Sequence, residues 1–286
     1  MQFLRNLLGL GKTSTPPSPT SPLVTAPTRP RLKVGWATDV GEVRRRNEDT
    51  ALVITAAHDG DSAVPAYGLF VLADGMGGHQ AGEVASSLAA RVVAHHIMRQ
   101  FYLPTLISNE RNTEQPALNE VLVGAVQVAN SAVADQVPGG GTTLTCALVL
   151  GPRVYIAHVG DSRAYIVMEG ELDQITHDHS LVDRLVELGQ LTREEASIHP
   201  QKNVLYRAVG QSGVLEVDTY VRTIPRGGRL LLCSDGLWGM VNEAEMANIV
   251  TTSSSLQTAC EGLVTAANEA GGRDNITAIL VEPPLS

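Results

Sequence analysis

Residues 67–79 read YGLFVLADGMGGH, an almost unbroken apolar run that stops on an acidic residue among glycines. A short run rich in Leu, Phe and Val is the pattern of a strand buried on both faces. Directly after it, residues 82–100 carry Val84, Leu88 and Val92 beside Ala85, Ala89, Val93 and Ile97. That stripe has a 3.6-residue period and predicts one long helix packed on a sheet. Working outward, residues 33–38 and 51–55 read as strands on the N-terminal side. On the other side a second helix is expected over 117–136, followed by strands over 143–150, 154–159 and 164–168, with Gly151-Pro152 as a hairpin turn. Strands return at 214–222 and 229–233, helices at 243–250 and 256–269, and a last strand at 276–281. Strands in runs with helices in separate blocks predict α+β layers, not an alternating parallel α/β fold.

The chain has 286 residues, 43% of them hydrophobic and 18% charged, which is the composition of an ordinary globular protein. No apolar run approaches the roughly 18 residues of a membrane span, and no secretory signal opens the chain, so a cytoplasmic protein is expected. Residues 11–31 are rich in Pro, Ser and Thr and predict a linker, so residues 1–31 are expected to be a tail and 32–284 the folded domain. Phe3, Leu4, Leu7 and Leu8 ahead of that linker have helical spacing, compatible with a short docking helix or a frayed tail. Gly11-Lys12-Thr13 is no phosphate-binding loop, because Asn6 stands where its first glycine belongs and prolines follow.

The net charge of −9 argues against nucleic acid as a partner. It is also uneven: residues 1–46 hold eight Lys/Arg against two Asp/Glu, and the remainder thirteen against twenty-eight. Cys146, Cys233 and Cys260 are widely spaced in apolar or mixed stretches and read as reduced core residues. None has an arginine six positions later, which excludes a cysteine-dependent phosphate loop.

Most of the excess carboxylates are solvated surface. Five acidic signatures stand apart: Asn47-Glu48-Asp49, Asp74-Gly75 within 73–79, Gly160-Asp161-Ser162-Arg163, Ser234-Asp235-Gly236 and Arg273-Asp274-Asn275. Any single Asp-Gly is an ordinary turn. Two of these directly follow apolar strands, however, which puts Asp74 and Asp235 where a rigid buried sheet meets solvent, each with a glycine that permits close approach. Carboxylates converging there repel one another unless cations sit between them. All-oxygen donors favour Mg²⁺, Mn²⁺ or Ca²⁺ over Zn²⁺. Two such ions about 3.5–4 Å apart can bridge a water and lower its pKa, giving hydrolysis without a covalent enzyme intermediate.

In order and wording, Val43-Arg44-x-x-Asn47-Glu48-Asp49, Asp74-Gly75-Met76-Gly77-Gly78, Gly141-Thr142-Thr143, Gly160-Asp161-Ser162-Arg163, Ser234-Asp235-Gly236 and Asp274-Asn275 resemble the PP2C-type (PPM) protein serine/threonine phosphatases, bacterial members above all, over residues 32–282. The resemblance implies a four-layer α-β-β-α sandwich with two central antiparallel sheets, and hydrolysis of phosphoserine and phosphothreonine in proteins. It implies that Asp49, Asp74, Asp235 and Asp274 ligate Mn²⁺ or Mg²⁺ with the Gly75 carbonyl, that Glu48 holds a metal-bound water, and that Asp161 serves a third, weaker site. Arg44 matches the arginine that grips phosphate, a task suited to a planar fork of donors; Arg45 and Arg46 have no such match.

Animal relatives carry His where Met76 stands, which leaves the acid for the leaving oxygen unassigned; His79 is one substitute and a metal-bound water the simpler one. Asp178-His179-Ser180 is expected to open the next helix, with Asp178 or Ser180 as cap. Residues 181–213, with Lys202 and Arg207, correspond to the variable flap of bacterial relatives and read either as a contact surface for phosphoprotein substrates or as a surface excursion with no binding role. The resemblance also implies that the enzyme opposes a serine/threonine kinase and dephosphorylates that kinase and its targets. The rival readings are a metal-binding scaffold without turnover, against which every metal-site carboxylate is present, and a two-metal nuclease, against which the acidic surface and the motif order stand.

Overall fold

Two antiparallel sheets absorb the runs of strands, and each carries its helices on one face only. The computed structural model describes residues 31–57, 66–77, 81–107 and 117–284. The expected tail of residues 1–31 lies outside them except for Arg31, as does His79. In chain order the elements begin with β1 (Lys33–Asp39), β2 (Asp49–Ala56), β3 (Tyr67–Met76) and α1 (Ala81–Ile97), then a π-helical turn (Met98–Tyr102), α2 (Leu103–Ile107) and α3 (Leu118–Gln136). Next come β4 (Gly141–Thr142), β5 (Leu144–Leu150), β6 (Arg153–Val159), β7 (Arg163–Met168), β8 (Glu171–Gln174), α4 (Leu181–Glu187) and α5 (Arg193–Ser197). The chain then forms β9 (Asp218–Thr223), β10 (Arg229–Cys233), α6 (Asp235–Trp238), α7 (Glu243–Thr252), α8 (Leu256–Glu269) and β11 (Ile276–Glu282).

One sheet runs β1-β11-β10-β7-β8 and the other β2-β3-β5-β6-β9, with β4 paired to the end of β3. Along β3 the side chains alternate: Leu69, Val71 and Ala73 pack against α1 and α3, whereas Phe70 and Leu72 meet Leu232 and Ile279 of the opposite sheet. Both faces are therefore dry, which is why the run is continuously apolar. Beneath the other sheet, Leu231 and Leu280 pack on Met246 of α7 and Leu263 of α8. The result is the four-layer sandwich that the resemblance implies. All three cysteines are buried and unbridged, as expected.

Several boundaries differ from the sequence reading. β3 does not end before Asp74 but runs through Met76, because Gly75 and Met76 pair with Thr142 and Gly141. The strand expected from 214 starts only at Asp218, and Val214 is almost wholly exposed. β8 is a short, mostly polar edge strand without an apolar signal. Asp235 opens the one-turn helix α6 instead of a simple turn. Ser180, not Asp178, caps α4 by accepting from the Asp183 N–H.

Candidate metal centre

Sheet register brings the acidic signatures together. Asp49 at the start of β2 stands opposite Asp74 near the end of β3, and β10 and β11, paired in the other sheet, deliver Asp235 and Asp274 from their adjoining ends. Arg44, Glu48, Asp74, Gly75, Asp161, Asp235 and Asp274 all line one cavity of about 430 Å³. Asp49, the eighth expected residue, is half-buried with its Oδ1 shut off from solvent. Met76 is on the cavity wall as well.

The local structure holds each carboxylate in place. The Asp74 carbonyl accepts from Thr143 N (2.8 Å) and Thr142 Oγ1 (2.9 Å), and its N–H donates to Thr143 Oγ1 at 2.9 Å. Asp49 Oδ2 accepts from Ser234 Oγ at 2.8 Å and Thr277 Oγ1 at 2.7 Å, which ties a carboxylate of one sheet to hydroxyls of the other. The Trp238 Nε1–H donates to the Asp161 carbonyl at 3.0 Å, clamping the β6–β7 turn. Gly75 must be glycine on packing grounds, since a Cβ there would collide with the carbonyl oxygens of Gly82 and Glu48.

Sequence reasoning singled out the acids and missed the groups that orient them: Ser234, Thr277, Thr143 and the side chain of Asn275. Asn275 donates from Nδ2 to the carbonyls of Val40 (2.9 Å) and Arg46 (2.8 Å) and accepts from Glu48 N at 2.8 Å. It thus fastens the β1–β2 segment that carries Arg44 and Glu48. Asn275→Ala leaves these polar groups unpaired in a buried place and is expected to cost about 3 kcal/mol, read as a lower urea midpoint with an unchanged m-value.

Burial dominates the electrostatics. It pushes Asp49 up to about 7, against the hydrogen bonds from Thr277 and Ser234, and Asp235 up to about 6, with Asp274 adding to the shift. Burial also holds Asp74 and Asp161 well above the usual carboxylate range. The Asp74 and Asp235 carboxyls are close enough to share a hydrogen bond when one is protonated. Arg44 Nη2 donates to Asp274 Oδ2 at 2.7 Å, and this bond raises the guanidinium pKa further.

Two observations fit these residues to divalent cations. Asp49 Oδ1 and Asp235 Oδ1 are buried without a hydrogen-bond partner, acceptors that a positive charge would satisfy. The surrounding donors are oxygens, the set suited to Mg²⁺ or Mn²⁺. Among the described residues no three such side chains are drawn in around one point. Mutual repulsion of the carboxylates, and the pairing of Asp274 with Arg44, favour that spread arrangement.

The 181–213 excursion borders this centre: Asn203 and Leu205 line the same cavity. Its return is anchored by Leu181 N to Val204 O (2.8 Å) and Tyr206 N to His179 O (3.0 Å). Within it Arg207 pairs with Glu216 and with Asp218, the latter at 3.0 Å.

A family model described as Protein phosphatase 2C matches residues 51–276. Serine/threonine phosphatase stp of Listeria innocua is 41% identical over 251 residues, covering 87% of this chain and 95% of that relative. The solved serine/threonine phosphatase of S. agalactiae aligns with a TM-score of 0.76 at 33% identity, covering 88% of this chain and 99% of that one. The catalytic domain of the serine threonine protein phosphatase PstP, solved in complex with two manganese ions, aligns with a TM-score of 0.70 at 34% identity, covering 89% and 99%.

Proposed function

The chain belongs to the protein phosphatase 2C family and is a metal-dependent serine/threonine phosphatase, and we propose that Asp49, Asp74, Asp235 and Asp274 hold its Mn²⁺ or Mg²⁺ ions while Arg44 receives the substrate phosphate. The observation that carries this assignment is the pair of buried, unpartnered acceptors, Asp49 Oδ1 and Asp235 Oδ1, in a carboxylate cluster beside an arginine. When bound, divalent cations neutralise phosphate charge and acidify water enough for it to attack phosphorus. Ser234 and Thr277 hold one edge of Asp49, which leaves the other edge for a cation. The Gly75 carbonyl is a further ligand, Glu48 orients water, and Asp161 serves a third, weaker site.

Arg44 bonds Asp274 through a single Nη2–H, and the remaining donors of its fork suit a phosphate dianion. Met76 carries no transferable proton, so the departing serine or threonine oxygen takes its proton from water. Residues 32–284 form the catalytic domain and 1–31 a tail. Among the described residues no helix is long and apolar enough to cross a membrane, and the protein acts in the cytoplasm on phosphoproteins that include a serine/threonine kinase and its targets.

The test is phosphate release from a phosphothreonine peptide with Mn²⁺, with Mg²⁺ and with chelator. Release with either ion and none with chelator is expected. A folded, metal-loaded protein that releases no phosphate would favour a scaffold.

A further inference from the structure

Beside the metal centre lies a second cavity of about 500 Å³, within the range of ligand clefts. It shares Asn203, Asp235 and Asp274 with the first, so the two adjoin. One wall is apolar: Val182 and Val186 of α4, Ala196 of α5, and Trp238 with Met240 at and after α6. That wall is firmly set, because the Arg163 guanidinium stacks 3.6 Å from the Trp238 ring centre and the indole N–H is bonded to Asp161.

The charges around it are unbalanced. Arg163 is neutralised by Asp178 at 2.8 Å, and Asp235 with Asp274 belongs to the metal centre. What remains is Arg193, Lys202 and Arg273, all exposed, against Asp183. None of these three cations has an ion pair among the described residues, although carboxylates are plentiful in a chain of net charge −9. A cationic rim on an apolar wall, continuous with a phosphate site, fits an extended peptide that presents an apolar and an anionic side chain near its phosphorylated residue.

We propose that this cavity is a specificity subsite that selects phosphopeptides bearing an apolar side chain next to an anionic one, a carboxylate or a second phosphate, close to the residue being dephosphorylated. The subsite rests on the phosphatase reading above. Its ligand draws on three exposed cations, so a gain of roughly five- to tenfold is in scale. The gain falls on KM more than on kcat, because the rim lies away from the reacting atoms.

The experiment compares phosphothreonine peptides in which a Leu-X pair is moved along the flanks on either side, with X as Glu, a non-hydrolysable phosphonate, Gln or Lys. At one or more flanking positions Glu, the phosphonate or both should raise kcat/KM five- to tenfold over Gln, and Lys should lower it. Preference for both anions marks charge alone as the requirement, and preference for the phosphonate alone marks a phosphate subsite. The double variant Arg193→Glu with Lys202→Glu, and Arg273→Ala from outside the flap, should erase or invert the preference. Ratios within about twofold of one at every position, or a preference indifferent to these variants, overturn the subsite. Failure to hydrolyse any of the peptides would instead remove the phosphatase reading, and the subsite with it.

Discussion

Asp235→Asn is expected to lower kcat/KM on a phosphothreonine peptide by at least about a thousandfold while making the metal-free protein more stable. Asp235 is half-buried, its Oδ1 is shut off from solvent without a partner, and burial with the neighbouring Asp274 raises its pKa to about 6. Asparagine keeps the shape and removes the charge. Its amide can also donate to the Asp74 carboxylate, which Asp235 repels when both are ionised. Relief of this kind is worth about 1–2 kcal/mol, visible as a higher unfolding midpoint in chelator. The loss of turnover follows because a neutral ligand holds a divalent cation less tightly and leaves more charge on the attacked phosphate. Turnover within tenfold of the parent, or a lower midpoint in chelator, would refute the role given to Asp235.

The core elements were legible because their burial is local. The run 67–73 reads as a strand dry on both faces, and in the fold Leu69 and Val71 meet helices while Phe70 and Leu72 meet the other sheet. The helix over 256–269 is equally plain, with Ser255 as its cap and Cys260, Leu263 and Ala267 buried on one face. Pairing is a different matter: Lys33 lies opposite Glu282 across β1 and β11, a nonlocal choice that no periodicity encodes, so the sandwich followed from resemblance alone. β8, with the sequence Glu-Leu-Asp-Gln, is a half-exposed edge strand held by β7 and has no apolar pattern to find. In the candidate centre Asp74 and Asp235 announce themselves through an adjacent glycine and a preceding strand, whereas Asp49 and Asp274 follow from the resemblance. Thr277 and Ser234 do not, because a buried hydroxyl becomes meaningful only when two sheets bring it to Asp49.

The metal-free protein is expected to lose stability as pH rises above 6.5, and saturating Mn²⁺ is expected to abolish the loss. A carboxyl whose folded pKa exceeds its unfolded value stabilises the fold fully below the unfolded pKa, and that contribution disappears as pH rises through the folded pKa. Asp49, moved from 3.8 to about 7, has this sign and accounts for about 4 kcal/mol over that interval. Asp235, Asp74 and Asp161 shift in the same direction. Two buried histidines oppose them: burial lowers His158 to about 3 and lowers His179 as well. Their contribution is present above the unfolded value near 6.5 and is lost as pH falls toward the folded one, so they mask the carboxylates at acid pH and fall silent above 6.5. From pH 6.5 to 8.5 Asp49 alone should therefore cost the chelated protein about 1 kcal/mol, roughly 2–4 °C in Tm for a domain of this size, with Asp74 and Asp161 acting in the same direction. Mn²⁺ replaces protons as the neutralising charge, so Tm in excess Mn²⁺ should be nearly flat over that range, and the gain from metal should widen with pH. A chelated protein whose Tm is level or rising across this window would mean that the four carboxylates are already compensated by the chain itself, and that divalent cations are not what the cluster is built to receive.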